Sequence, residues 1–384
     1  MDQGTMDNGM TSTRREVSHD LFNLRPISEA SFSLLDDRPI LFCASAQKIY
    51  ELNQIAAYIW CGLLDHKPPA AICEDLTKFG FEGATATNYL RNALRNWFAL
   101  GLLEPDWGLI ETHSFCASVG KLTVNVETSS ERLIKHLRPL FSQESKATGK
   151  PEDTFEVVEI DGLIGIFHNR TCVVRCTANE LMPTLKFHIT EQILLRSFPD
   201  VAFHAACLLS GEKGVLVSGR PGAGKTTLAL HLMEAGFSYA ADDIVLIEPD
   251  GRARGVLFAP ALKPGAWTMI EKLQPDLGKS AVHHRPDGKR VRYLNVPCTA
   301  CNASVTVGWI IFIKRAPNIP AKFTRLGQLE TISRLIQASY SPSGKLTAQT
   351  FHAMKQTLAG AVSVELRYSN ADQARDAIVD LCNG

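Results

Sequence analysis

A chain of 384 residues with 45% hydrophobic and 21% charged residues has the composition of a soluble globular protein and length for roughly two to three domains. Lysine plus arginine and aspartate plus glutamate both number 40, a balance that argues against a general nucleic-acid or polybasic membrane partner. The opening "MDQGTMDNGMTSTRREVSHD" lacks the apolar core of a secretory signal, and no stretch approaches the roughly 18 uncharged apolar residues that span a bilayer. No membrane association is expected. The ten cysteines are scattered rather than framed, which predicts a reducing, cytoplasmic setting. Cys298 and Cys301 form one CxxC pair; with no second pair at zinc spacing they read as incidental thiols.

Residues 1–20 read as a disordered tail. Then "SFSLL", "PILFCA" and "KIYEL" read as strands, with turns at "LDDRP" and "SAQ". Asn53 is placed to cap the helix of "NQIAAYIWCGLL". Pro68 and Pro69 open a second helix, "AAICEDLTKFG", and a third, "ATATNYLRNALRNWFALG", ends at Gly101. Small strands followed by three helices make a compact α+β unit ending near Trp107. The expected division is a first domain at 21–110 and a second at 111–384.

The stretches "YELNQIAAYIW", "PAAICEDLTKFGF" and "LRNWFALGLLEPDW" carry a resemblance over about 21–107 to the PqqD-like domain, a winged-helix recognition element of peptide-modifying systems. The resemblance implies a partner: the leader of a precursor peptide, added as a strand on the sheet edge and lying against the third helix. A structural or DNA-binding winged helix is the alternative. Few arginines on the third helix count against DNA.

Between 112 and 200, "KLTVNVE", "EVVEIDGLIGIFH" and "TCVVRCT" read as strands, 142–154 as a polar loop and 184–198 as a helix. The sharpest pattern follows. "GVLVS" is a buried strand, and Gly219-Arg220-Pro221-Gly222-Ala223-Gly224-Lys225-Thr226 fits G-x-x-x-x-G-K-[ST], with the helix "TLALHLMEA" behind it. Glycines let backbone N–H groups curl around phosphate oxygens, and the helix N-terminus favours negative charge. The expected ATP-binding residues are therefore Gly219, Gly222, Ala223, Gly224, Lys225, Thr226 and Thr227. Lys225 should reach the β- and γ-phosphates and Thr226 should ligate Mg²⁺.

After that helix, "FSYAA" reads as a short strand beside "GVLVS" in a parallel sheet, delivering Asp242 and Asp243 to the carboxyl edge where ligands sit. Two adjacent carboxylates suit phosphoryl transfer to an alcohol. One takes the hydroxyl proton and the other helps hold Mg²⁺; the residues alone leave open which.

His204 in "FHAA", the phosphate loop and Asp242-Asp243 in "ADDIV" together resemble the catalytic domain of HPr kinase/phosphorylase. The resemblance implies Asp242 as base for a serine hydroxyl, His204 beside the pair as its tuner, Lys225 on the phosphates, Thr226 and Asp243 on the metal side, and a homo-oligomer. The family's His-Gly is His-Ala here, and its downstream glycine-rich stretch with a metal-side Glu has no counterpart. The His-Ala-Ala form looks more like the HPr-kinase-like enzymes that phosphorylate precursor peptides of lasso and related ribosomal peptides.

Further on, Asp287-Gly288 signals a hairpin within 283–296. Its Arg285, Lys289, Arg290 and Arg292 make a basic cluster that reads either as a solvated hairpin or as a loop closing over phosphates or a peptide carboxylate; if it closes, Arg292 and Lys263 are the candidate phosphate or substrate contacts. Alternating strands and helices predict an α/β P-loop kinase domain preceded by the small winged-helix domain. The expectation is a serine-type kinase acting on a ribosomally made peptide. The alternatives are a kinase for a protein or small-molecule hydroxyl, and a nucleotide-gated peptide-binding scaffold.

Overall fold

The computed structural model describes residues 23–141, 151, 153–296, 303–340 and 344–384. The 1–20 tail, most of the 142–154 loop, and Cys298 and Cys301 lie outside the described residues. The chain is a mixed α/β protein that divides into two compact units. One runs to Glu111 and takes in Val158–Gly165; the other comprises Thr112–Val157 and Ile166–Gly384.

The first unit begins with β1 (Leu24–Pro26), followed by β2 (Ala30–Leu35), β3 (Arg38–Cys43) and β4 (Lys48–Glu51). Strands β2, β3 and β4 form an antiparallel sheet in that order. The β2–β3 turn needs a left-handed backbone at Asp36 and Asp37 (φ 48° and 59°), which aspartate tolerates better than most side chains. Three helices follow: α1 (Gln54–Leu64), α2 (Pro69–Lys78) and α3 (Gly83–Leu100). The Asn53 side chain accepts from the Ala56 N–H at 2.8 Å and starts α1. Gly101, at φ 78°, ends α3. Buried Ala86, Leu90, Leu94, Trp97 and Phe98 recur at helical spacing on α3, and Trp97 meets Trp60 of α1 edge-on at 5.1 Å. Strand β5 (Leu103–Pro105) pairs back with β1. Within the same unit, Asp161 is held by Arg91 and by the Arg95 guanidinium.

Next along the chain come β6 (His113–Val119), β7 (Leu122–Thr128), α4 (Glu131–Leu137), β8 (Asp153–Ile160), β9 (Leu163–His168) and β10 (Thr171–Thr177), whose strands form a five-stranded sheet in the order β10-β9-β8-β7-β6. Helix α5 (Leu181–Arg196) leads into β11 (Val201–Phe203), β12 (Ala205–Ser210), β13 (Lys213–Ser218), α6 (Lys225–Glu234), β14 (Ser238–Ala241), β15 (Val245–Ile247) and β16 (Ala253–Gly255). A small sheet follows, built from β17 (Ala261–Leu262), β18 (His283–His284) and β19 (Arg290–Tyr293), with α7 (Pro264–Leu273) between β17 and β18. The chain closes with β20 (Ser304–Arg315), β21 (Lys322–Arg325), α8 (Gln328–Ala338), β22 (Ser339–Tyr340), α9 (Ala348–Ala359), β23 (Val362–Tyr368) and α10 (Ala371–Asn383).

Ten of these strands make the central sheet, whose path runs β14-β12-β13-β20-β16-β15-β11-β22, with β23 on β20 and β21 on β23. Strands β13, β20 and β23 are parallel neighbours, while β12 is antiparallel to β13 and to β14. Both faces are covered, as a parallel core requires. Leu228, Ala229 and Leu232 of α6 and Ala374 and Ile378 of α10 pack on one side. Ile332 and Leu335 of α8 and Met354 and Leu358 of α9 pack on the other. Each fully buried leucine of this kind contributes about 1.5–3 kcal/mol.

The expected adjacency of "FSYAA" and "GVLVS" is corrected here. Strand β12 lies between them, and the sheet is mixed rather than parallel. Strand β12 is apolar up to its last residue, Ser210, and short-looped to β13, so it forms a hairpin with β13 and takes the position next to it. Because β12 is antiparallel to both neighbours, β13 and β14 still point the same way and end at the same edge. No helix among the described residues is long and apolar enough to cross a membrane.

Candidate active site

Strand β13 ends at Ser218, opposite Ala205 of β12, and Ala241, the last residue of β14, lies opposite Cys207. Three termini therefore meet at one edge: Gly219 starting the phosphate loop, His204 entering β12, and Asp242 leaving β14.

The loop's glycines answer to specific crowding. A Cβ on Gly219 would sit 2.9 Å from the Ile313 carbonyl oxygen, too close for any side chain. Gly224 takes φ 98° at the cap of α6. The Ala223 N–H donates to the Arg220 carbonyl at 3.0 Å, and the buried Tyr368 phenol donates to the Ala223 carbonyl at 3.2 Å. Lys225 is buried and donates to the Gly219 carbonyl at 2.9 Å. Burial lowers its proton affinity, and the nearby Lys263 acts in the same direction. Thr226 and Thr227 stand in the first turn of α6, both partly buried.

The two aspartates occupy different surroundings. Asp242 is buried, in hydrogen-bond contact with Thr226 and Tyr239. Burial, and then the charge of Asp243, hold its carboxyl above the ordinary carboxylate range. Asp243 faces the cleft with 43% of its side chain exposed, and Lys186 of α5 donates to its Oδ2 at 2.8 Å. That ammonium holds Asp243 ionised well below the usual range. The pair therefore offers one group that accepts a proton readily and one locked as an anion.

His204 sits at the break between β11 and β12, where the strand changes partners. Its Nδ1 lies 3.0 Å from the Asp243 carbonyl oxygen, which only accepts, so the hydrogen belongs on Nδ1 and Nε2 carries the lone pair. Burial, then the Lys225 charge, lowers the proton affinity of the ring.

The basic cluster divides. Arg285 lies near enough to Asp243 for its charge to stabilise that carboxylate. Lys263 precedes α7 at the rim, its charge felt by both Lys225 and His204. Arg292 does neither: it donates to Glu271 at 2.9 Å and to the Leu277 carbonyl at 3.2 Å, and lies 4.5 Å from the Trp267 ring. Lys289 pairs with Asp287 across the hairpin turn.

Sequence reasoning missed Lys186, Tyr239 and Tyr368. Lys186 did leave a signal, a single lysine next to fully buried Leu185 in the mostly apolar first half of α5. Tyr368 left none, being 145 residues from the carbonyl it holds.

A resident metal is implied by the loop. Among the described residues no three His, Cys, Asp or Glu side chains gather around a metal position. The Thr226 hydroxyl against a carboxylate, with a second carboxylate next along, nonetheless fits Mg²⁺, which takes one or two protein ligands and completes its shell with substrate phosphates and water.

No family model matches the chain, and no curated protein does. Solved structures similar to it include TbiB1 in complex with the TbiA(beta) leader peptide, at 22% identity over 21% of this chain and 94% of that one, TM-score 0.20. A lasso peptide synthetase B1 complexed with its leader peptide gives 25% identity over 22% and 99%, TM-score 0.21. The Hpr(Ser) kinase/phosphatase from Coxiella burnetii gives 13% identity over 48% and 99%, TM-score 0.23. Scores this low do not establish a shared fold.

Proposed function

We propose that the chain is an ATP-dependent kinase that phosphorylates a serine-type hydroxyl of a ribosomally made precursor peptide whose leader docks on the N-terminal unit. One observation carries the catalytic half of this reading: the glycine-rich loop, His204 and the unequal Asp242–Asp243 pair meet at one sheet edge.

The loop amides and Lys225 hold the triphosphate, and Tyr368 keeps the loop in shape through Ala223. The acceptor hydroxyl approaches from the cleft, where Asp243 is exposed. Its oxygen forms a bond to the γ-phosphorus as the bond to the β–γ bridging oxygen breaks, and the electron pair leaves with ADP. The proton goes to the carboxylate pair, whose protonatable member is Asp242. Asp243 stays anionic against Lys186 at the cleft, and as the carboxylate next along from the Thr226–Asp242 contact it would help Thr226 hold the metal. Mg²⁺, when bound, neutralises phosphate charge. His204 orients the pair through the Asp243 backbone.

The leader half rests on the β2-β3-β4 sheet, whose last strand pairs only with β3 among the described strands and so offers an edge for strand addition. Tethering the leader makes delivery of the acceptor effectively intramolecular.

The test is intact-mass measurement of the precursor peptide after incubation with the protein, ATP and Mg²⁺, with Asp242→Asn alongside. A gain of one phosphate that the variant abolishes is the expected result. Binding of ATP and leader without any gain would overturn the reading.

A further inference from the structure

A cavity of about 160 Å³ opens beside Asp243, and no residue of the phosphate loop lines it. It is walled by Ile244, Val256, Phe258, Ala261 and Tyr293, with Phe187 of α5 on its rim. Val256, Phe258 and Tyr293 are buried, so these walls are preformed. Phe187 is 52% exposed, a large apolar ring left facing solvent. The polar lining comes from the Lys186–Asp243 pair, with the Lys186 ammonium 5.5 Å from the Phe258 ring centre, and from Thr190 and Arg285.

Three features define the occupant. The volume is below the roughly 300–1,000 Å³ of pockets for cofactor-sized ligands, so neither a nucleoside nor a folded segment fits. Most of the walls are aliphatic and aromatic, and the cations among them are already engaged, Lys186 by Asp243 and Arg285 by Asp287, so a charged side chain would enter at a desolvation cost. The cavity shares Asp243 with the catalytic edge but lies away from the phosphate loop, on the side from which an acceptor must come.

Resting on the kinase reading above, we infer that this cavity is a specificity pocket. It receives one apolar side chain, aliphatic or aromatic, that flanks the acceptor hydroxyl in the peptide. Seating that side chain among Phe187, Val256 and Phe258 fixes the neighbouring hydroxyl against the carboxylates. Lys186 and Arg285 close the mouth over the backbone between them.

The test uses the full chain with synthetic peptides that each carry one serine, flanked by leucine, glycine or glutamate. Binding is read by fluorescence anisotropy with a non-hydrolysable ATP analogue present, and transfer by mass with ATP and Mg²⁺. The leucine-flanked peptide is expected to bind and react with a KM roughly tenfold below that of the glutamate-flanked one. Phe187→Ser, a rim change outside the catalytic machinery, should erase that preference while leaving the KM for ATP unchanged. Thr190→Phe, which fills the cavity from its rim, should do the same. A preference in binding without transfer supports the pocket and overturns the kinase reading. Transfer without preference, or a Phe187→Ser effect on the KM for ATP instead of peptide, overturns the pocket alone. Neither binding preference nor transfer overturns both.

Discussion

The Lys186 ammonium lies 2.8 Å from Asp243 Oδ2, linking helix α5 to the end of β14 across 57 residues of chain. Burial of Asp242 and this contact to Asp243 together make the two adjacent aspartates unequal. Without the contact, two carboxylates one residue apart would share their repulsion; with it, Asp243 stays charged and Asp242 carries the raised proton affinity.

Lys186→Met should therefore lower kcat by roughly 100-fold, the loss typical of a misplaced catalytic group, with little change in the KM for ATP. Activity requires the deprotonated pair. Removing the cation raises the affinity of both carboxylates for protons, so the acidic limb of the kcat profile should move to higher pH. Lys186→Arg should restore part of the rate. A pH profile in which the variant's acidic limb coincides with wild type would refute this role.

Tyr368→Phe removes one hydrogen bond to the phosphate loop and keeps the ring in the core. The expected loss is ~1 kcal/mol, or about fivefold in ATP affinity, measured by calorimetry. Gly219→Ala should be far more damaging, because the crowding atom is the Ile313 backbone and cannot step aside.

His283 is buried in the small sheet, its ring 5.3 Å from that of His136 and 5.5 Å from that of Tyr293. Burial, then the His136 charge, pulls its pKa from 6.5 down to about 4. Between these values the unfolded chain binds the proton and the folded chain does not. Stability therefore falls as pH drops from about 6.5 to about 4, by up to ~3 kcal/mol from this group. His283→Phe should show a shallower loss of Tm over that window; parallel losses in the two proteins would refute the assignment.

Ile49 of β4 is 61% exposed and pairs across the sheet with half-exposed Phe42. Ile49→Asp should leave the fold intact, as exposed substitutions usually do, yet weaken binding of the leader by about tenfold. ATP affinity should not change. Anisotropy with a labelled leader peptide reads the first arm and calorimetry with ATP the second, and unchanged leader affinity would move the docking site off this sheet.

The sequence by itself determined the features whose physics is local. The phosphate loop is legible because its demands fall on consecutive residues: glycines where the backbone turns left-handed or meets another chain segment, then a helix start. Asn53, Gly101 and the Asp36-Asp37 turn are legible for the same reason. His204 and the paired aspartates could be ordered along the chain, but their meeting could not be read from spacing. Only the tertiary structure inserted β12 between β13 and β14, because a strand's neighbour is decided by which apolar surfaces bury each other and not by order alone. Packing likewise brought Lys186 to Asp243 and Tyr368 to Ala223. It turned Arg285 toward the cleft while tying Arg292 to Glu271, though both belong to one basic run. Charge and hydrogen-bonding capacity are written in the residue; the partner that uses them is set by the fold.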